Sequence, residues 1–394
     1  MSYQIRLFMQ GFVLMFSYLF LNTAIATAAI DDTTPAYLAT VNMSLGEKNY
    51  LKLHDTLPIY QNAVMHPWPV LSSNKLLKKG MRSSIVPLLR ERLGATNELP
   101  LAYDRSDLIY DAELVEAVKG FQQRNGLKND GIIGKDTLQE LNVTPEVRVK
   151  QIQINMQRWA SLSPQLGNRF IMVNIPDYRL YVYEDNQEIL TMKAIVGKPT
   201  SPTPELRSQV IRVVFNPPWN IPVKIAQKEM VKKVIEDPSY LDANHIKIYE
   251  SQESNAMAIN QDEVDWYAAR VNGFPYHLRQ DPGDDNSLGL VKFEFQNSAD
   301  VYLHDTPAKE LFNQDVRALS HGCVRLENAF SLVDYLMRDD PEWTEDRMQE
   351  ILMDGKTKYI KAYHSIPILI TYITAWVDDN GTVNFRDDVY GKDN

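Results

Sequence analysis

Only one cysteine, Cys323, occurs in the 394 residues, so no intrachain disulfide can form and a zinc site built from several thiolates is excluded. Basic residues are in deficit as well, 41 Lys+Arg against 51 Asp+Glu, for a formal charge of -10. Affinity for a nucleic-acid backbone comes from cations that displace counterions, so no nucleic-acid partner is predicted. Metal-ligand spacing is missing too: His54, His66, His245, His277 and His364 are scattered without H-E-x-x-H or a comparable pattern, and no metal is predicted. What the chain does have is a hydrophobic fraction of 44%, enough for a buried core, and a length that suggests two or three domains.

The N-terminus reads as an export signal. No charged residue occurs from Leu7 to Ile30, and Arg6 is the one cation before it. Residues 1–29 are therefore expected to be a signal peptide, with Ala24-Ile25-Ala26 and Ala26-Thr27-Ala28 as small-x-small cleavage patterns. The stretch is also long enough to stay as an N-terminal membrane anchor, since about 20 residues span a bilayer. Either outcome places the rest where thiols oxidise, and an unpaired cysteine is a liability there unless it has a task.

Residues 30–75 lack clear periodicity and contain His66-Pro67-Trp68-Pro69, so an extended lead-in or a shortened scaffold is expected. Over 76–143 the pattern changes to three short helices. Ser83 or Ser84 can cap the first and Asp111 the second, Gly94 and Gly126 act as stops, and Asp130 to Thr137 opens the third. Thr144-Pro145 starts a linker helix over 144–165, with proline where its missing N–H costs nothing. Residues 166–394 switch to strand periodicity, and a β-meander is expected over 170–175, 179–183, 189–196 and 210–215. A polar, helix-leaning insertion at about 218–287 interrupts it, in the manner of a lid or binding flap. The fold class expected is α+β.

Chemistry concentrates in Ser320-His321-Gly322-Cys323-Val324-Arg325-Leu326-Glu327-Asn328, preceded by His304-Asp305-Thr306-Pro307 with fifteen residues between His304 and Ser320. If a helix begins near Arg325, the helix dipole and the guanidinium both lower the thiol pKa, and the thiolate is the nucleophile. His304 suits a general base, and one Cys with one non-adjacent His is the arrangement of an activated-thiol acyl transferase. Gly322 would let the chain turn tightly and leave the N–H groups of Gly322 and Cys323 facing an oxyanion.

These residues resemble the L,D-transpeptidase family, whose signature is a histidine, a spacer of about this length, then S/T-H-G-C followed by a polar residue and Asn. The resemblance extends to Val196–Pro204, Asn216–Pro222 and Tyr302–Pro307, in the order of the larger branch with an inserted capping subdomain. Phe121–Leu127 (FQQRNGL) and Asp130–Thr137 (DGIIGKDT) resemble the three-helix peptidoglycan-binding module. Together the resemblance covers residues 76 to 390. It implies a β sandwich-like catalytic domain with a helical capping insertion, in the periplasm, with no cofactor. It further implies Cys323 as nucleophile, His304 as base and the Asp305 backbone carbonyl as the group that orients the imidazole. Ser320, His321, Gly322, Arg325 and Asn328 would line the site. The implied reaction joins two tetrapeptide stems of peptidoglycan, donor and acceptor, by a 3→3 cross-link through a thioester with release of D-alanine, and carbapenem-type β-lactams would acylate the thiol.

Plainer readings compete. His321 can serve only to shape its loop, Arg325 can pair with Glu327 or a backbone carbonyl, and Trp219, Trp266 and Tyr276 can simply pack the insertion. At the level of function the alternatives are an L,D-carboxypeptidase or amine-exchange enzyme on tetrapeptide stems, and a catalytically inert wall-binding protein.

Overall fold

The computed structural model describes residues 43–100, 107–162, 166–253 and 255–394. The signal or anchor segment expected at 1–29 lies outside these residues. Five helices precede the sheet: α1 (Leu45–Met65), α2 (Val86–Gly94), α3 (Ala112–Arg124), α4 (Lys135–Leu141) and α5 (Pro145–Leu162).

Residues 45–65 therefore correct the expected extended lead-in. Ser44 and Glu47 form a reciprocal capping box at the start of α1, and Leu53, Tyr60 and Ala63 are buried along one face. Gly46 and Pro58 inside the helix broke the pattern that would have revealed it. The helix holds because its buried face packs with Ile152, Met156 and Trp159 of α5, so α5 is half of a packed helix pair rather than a free linker.

Helices α2, α3 and α4 share a core of Leu89, Leu93, Leu114, Val118, Phe121 and Leu141. The Asp111 carboxylate accepts from Leu114 N at 2.9 Å, as a cap should. Neither Ser83 nor Ser84 caps α2; its N-cap is Ile85, without a side-chain bond.

The strands that follow are β1 (Arg169–Asn174), β2 (Arg179–Glu184), β3 (Gln187–Gly197) and β4 (Leu206–Phe215), then β5 (Trp219–Ile221), β6 (Ile246–Tyr249), β7 (Ala258–Ile259) and β8 (His277–Gln280). They continue as β9 (Val291–Phe295), β10 (Leu303–His304), β11 (Ala318–Ser320), β12 (Val324–Leu326), β13 (Lys358–Thr371), β14 (Ala375–Val377) and β15 (Val383–Phe385). Pairing runs β12-β3-β2-β1-β13-β4-β9-β10 and returns from β10 to β12, so eight strands close on themselves and β11 adds to β3. What reads as the two faces of a sandwich is one sheet paired all the way round.

The expected four-strand meander holds only for β1 to β3. Strand β4 pairs with β13 and β9 instead, because Pro199, Pro202 and Pro204 rule out a tight hairpin after β3.

Ile171 and Val173 point into the sheet's interior with Val213, Phe293, Leu303, Val324 and the helix Ala329–Met337. Their neighbours Phe170 and Met172 point outward under α1 and α5. Strand β1 is thus covered on both faces, which accounts for its unbroken apolar run.

The insertion is a mixed unit rather than a helical one. Strands β5-β8-β6-β7 form a separate antiparallel sheet. It packs on a helical run through Val223–Ile225, a π-helical turn at Ala226–Met230 and Val231–Glu236, with Val231, Val234, Ile248 and Leu278 at its centre. Four-residue strands such as Ile246–Tyr249 are too short for a period of two to stand out in sequence.

Candidate active site

Parallel pairing of β10 with β12 sets Leu303 opposite Val324 and His304 opposite Arg325. That register brings the histidine to the cavity of a cysteine nineteen residues further along the chain.

The loop between β11 and β12 carries the cysteine and is tied from within. Ser320 Oγ donates to Cys323 O at 2.5 Å and accepts from Gly322 N at 3.1 Å. Gly322 has φ +122°, which L side chains rarely adopt. The proline-rich segment after β3 braces the loop: Thr203 Oγ1 donates to Gly322 O at 2.7 Å and accepts from Gly197 N at 2.8 Å. A side chain at Gly197 would put its Cβ 2.2 Å from Ser201 O, so the brace requires glycine there.

His304 is 4% exposed. Its Nδ1 lies 2.5 Å from Asp305 O, so Nδ1 carries the proton and Nε2 keeps its lone pair. The Asp305 carboxylate is held in turn by Lys309 Nζ at 2.6 Å and by Leu290 N at 3.1 Å. Burial, followed by the Arg325 charge, pushes the imidazole down to about 3, against the pull of the Asp305 and Leu288 backbone.

The Cys323 thiol moves the other way. Burial raises it, opposed in part by Tyr302, Lys292 and Arg325. The expected lowering by a helix start is therefore corrected. Val324–Leu326 is strand, and the following helix begins only at Ala329. The thiol lies 4.0 Å from Asp300 O, and among the described residues no hydrogen bond joins it to the imidazole. Burial thus favours the neutral form of both groups.

Two further expectations change. The Gly322 N–H is taken by Ser320, which leaves the Cys323 N–H, without a partner among the described residues, as the backbone donor beside the thiol. Asn328 does not line the cavity; its side chain caps the helix Ala329–Met337 by accepting from Ser331 N at 3.3 Å.

Cys323, His304, Ser320, His321 and Arg325 all line a cavity of about 240 Å³, roofed by Trp219, Ile225, Glu229, Met230 and Tyr240 of the insertion. Asp305 lies outside its lining and reaches it through His304. Among the described residues Arg325 Nε is buried without a hydrogen-bond partner and no ion pair joins Arg325 to Glu327, whose carboxylate goes to Lys193. His321 Nε2 lies 2.6 Å from Glu229 Oε1 of the insertion and 3.2 Å from Lys198 Nζ. This contact ties the roof to the cysteine loop.

Sequence reasoning missed Lys309, Thr203, Tyr302 and Glu229 as parts of the site. Lys309 was within reach of it, four residues after Asp305. Nothing in the sequence points to Glu229, which arrives from the insertion. In chemical terms, the site holds a thiol, a neutral imidazole with a free lone pair, a backbone donor and an unpaired guanidinium in one capped cavity. That set suits attack on a carbonyl next to a carboxylate.

Residues 168–347 match the family model described as "L,D-transpeptidase catalytic domain", and residues 86–141 match "Putative peptidoglycan binding domain". A protein of Haemophilus influenzae named "Putative L,D-transpeptidase" is 36% identical over 257 residues, 65% of this chain and 50% of that protein. The chain thus spans about half the length of this curated relative. Among solved structures, an L,D-transpeptidase from Mycobacterium smegmatis is 14% identical, covering 52% of this chain and 58% of its own, with a TM-score of 0.25. Another from Stackebrandtia nassauensis is 14% identical, covering 77% and 97%, with a TM-score of 0.29. Likeness at those scores adds nothing to the fold described above.

Proposed function

We propose that this chain, whose residues 168–347 match the L,D-transpeptidase catalytic domain family, forms 3→3 cross-links between peptidoglycan stems through Cys323. The observation that carries the reading is the β10–β12 pairing, which sets His304 and Cys323 in one capped cavity.

In the donor step, Cys323 Sγ attacks the carbonyl between the L-centre of the diamino acid and the terminal D-alanine of a tetrapeptide. As the S–C bond forms, the thiol proton passes to His304 Nε2. The Cys323 N–H stabilises the oxyanion. The C–N bond then breaks, the imidazolium returns the proton to the departing D-alanine amine, and a thioester remains. Arg325 pairs with the carboxylate of that D-alanine, which explains a guanidinium kept without a partner. In the acceptor step, the side-chain amine of a second stem attacks the thioester. A new C–N bond replaces C–S, and the proton shed by the amine returns to sulfur by way of His304. The cleaved peptide bond supplies the driving force, so the scheme needs no cofactor.

The roof held by Glu229 and His321 excludes water, so that amine outcompetes hydrolysis. The helical module holds the enzyme on the wall. Residues 1–29 export the chain to the periplasm, cleaved or retained as an anchor. Carbapenem-type β-lactams acylate Cys323 through their strained carbonyl.

The test is mass spectrometry of disaccharide-tetrapeptide muropeptides incubated with the protein and with Cys323→Ala and His304→Ala. A dimer lacking one D-alanine, joined between two diamino acids and absent in both variants, is expected. Tripeptide without dimer would make water the acceptor, and no change would leave a wall-binding protein.

A further inference from the structure

A cleft of about 680 Å³ runs between the three-helix module and the closed sheet. Both motifs of the module face it, Asn125-Gly126-Leu127 from the first and Asp130 to Thr137 from the second, while the opposite wall is Pro176–Arg179 and Asp315–Arg317. We infer that this cleft is a composite binding site for a peptidoglycan strand, built by the catalytic domain as much as by the module. The inference rests on the reading that peptidoglycan is the substrate.

The walls are fixed relative to each other. Arg386 donates from Nε to Asp177 Oδ1 at 2.5 Å and from Nη1 to Arg124 O at 3.1 Å, bridging the two domains. Gly126, at φ +67°, lets them approach, since a Cβ there would lie 2.8 Å from the Arg386 side chain. The module's own wall is set in advance as well. Gln122, 1% exposed, accepts from Gly131 N at 2.7 Å and donates to Ile132 O at 3.0 Å and to Thr137 Oγ1 at 3.1 Å. A ligand therefore meets a prepared surface and does not have to order it.

The lining identifies the ligand class. Lys78 and Lys135 on the module and Asp315 on the opposite wall line the cleft, and their side chains have no hydrogen-bond or ion-pair partner among the described residues. Free groups of both signs suit a chain rich in hydroxyls and amides whose stems carry carboxylates, and those carboxylates meet the lysines. Position agrees. Arg317 on the cleft wall is six residues before Cys323, so at most about 20 Å of extended chain separates them. A four-residue stem extends to about 13 Å, so a stem on a strand held in the cleft covers much of that span.

The experiment is cosedimentation of the full chain with purified sacculi and titration with soluble uncross-linked glycan chains. It compares the wild type with Lys135→Glu on the module and Val316→Trp, which plugs the cleft from the other wall. Thermal melts check that both variants fold. At least tenfold weaker binding in both variants is expected. Unchanged binding in both, or loss only in Lys135→Glu, would overturn the composite site. Dimer formation by the wild type from short soluble muropeptides separates the two readings. Its absence would sink the enzymatic proposal, whereas its presence with unaltered strand binding in the variants would sink the cleft alone.

Discussion

The sharpest consequence of the site is that Cys323 and His304 do not form an ion pair before substrate arrives. Burial raises the thiol above its ordinary 9.0, while the imidazole is pushed down to about 3. Moving the proton from Sγ to Nε2 is then uphill, and for the imidazole alone the shift from 6.5 to about 3 disfavours the charged form by about 5 kcal/mol. The thiolate–imidazolium pair is therefore a minor form at rest. Because Cys323 is the one cysteine in the chain, alkylation by iodoacetamide reports it alone. The expected rate climbs with pH from 5 to above 9 without a plateau, and substrate acylation shows a solvent deuterium isotope effect because the proton moves during attack. A plateau or inflection between pH 4 and 8 would refute the reasoning, since only a preformed ion pair produces one.

The same imidazole makes stability depend on pH. Its folded value lies below the ordinary 6.5, so the contribution is intact above that value and lost as pH falls toward about 3. Urea midpoints should register a loss approaching about 2 kcal/mol between pH 6.5 and 5, and His304→Gln should flatten that slope. Lys309→Met leaves the Asp305 carboxylate held by Leu290 N alone; kcat should fall about tenfold with KM little changed and recover in Lys309→Arg, and a pure loss of melting temperature would contradict this positioning role. Asn328→Ala removes a helix cap and should cost about 1 kcal/mol in a calorimetric melt while kcat/KM stays within about twofold. His321→Ala and Glu229→Gln each break the tie to the roof, and the ratio of hydrolysed tripeptide to cross-linked dimer should rise at least threefold in both; an unchanged ratio would mean that the contact does not keep water out.

How far the sequence could be read depended on the range of the physics involved. Apolar runs at β1, β2 and β4 announced strands because each needs only its own periodicity, and Asp111 announced a cap because the bond it makes is three residues away. Helix α1 escaped because Gly46 and Pro58 weaken its intrinsic propensity, and its stability comes from α5, about a hundred residues later. The thiol misled for a related reason. A helix at Arg325 is a local guess, whereas the strand found there exists because β3 and β10 flank it.

Residue chemistry alone determined that one thiol and an upstream histidine are available and that the imidazole has a carbonyl next to it in the chain. Only tertiary structure decided that the thiol shares a cavity with His304, that the Arg325 Nε atom is buried there without a hydrogen-bond partner among the described residues, and that Glu229 reaches the cysteine loop from the insertion. The division has one physical cause. Motif spacing encodes contacts made along the chain, whereas burial and charge pairing depend on segments that folding brings together from far apart in sequence.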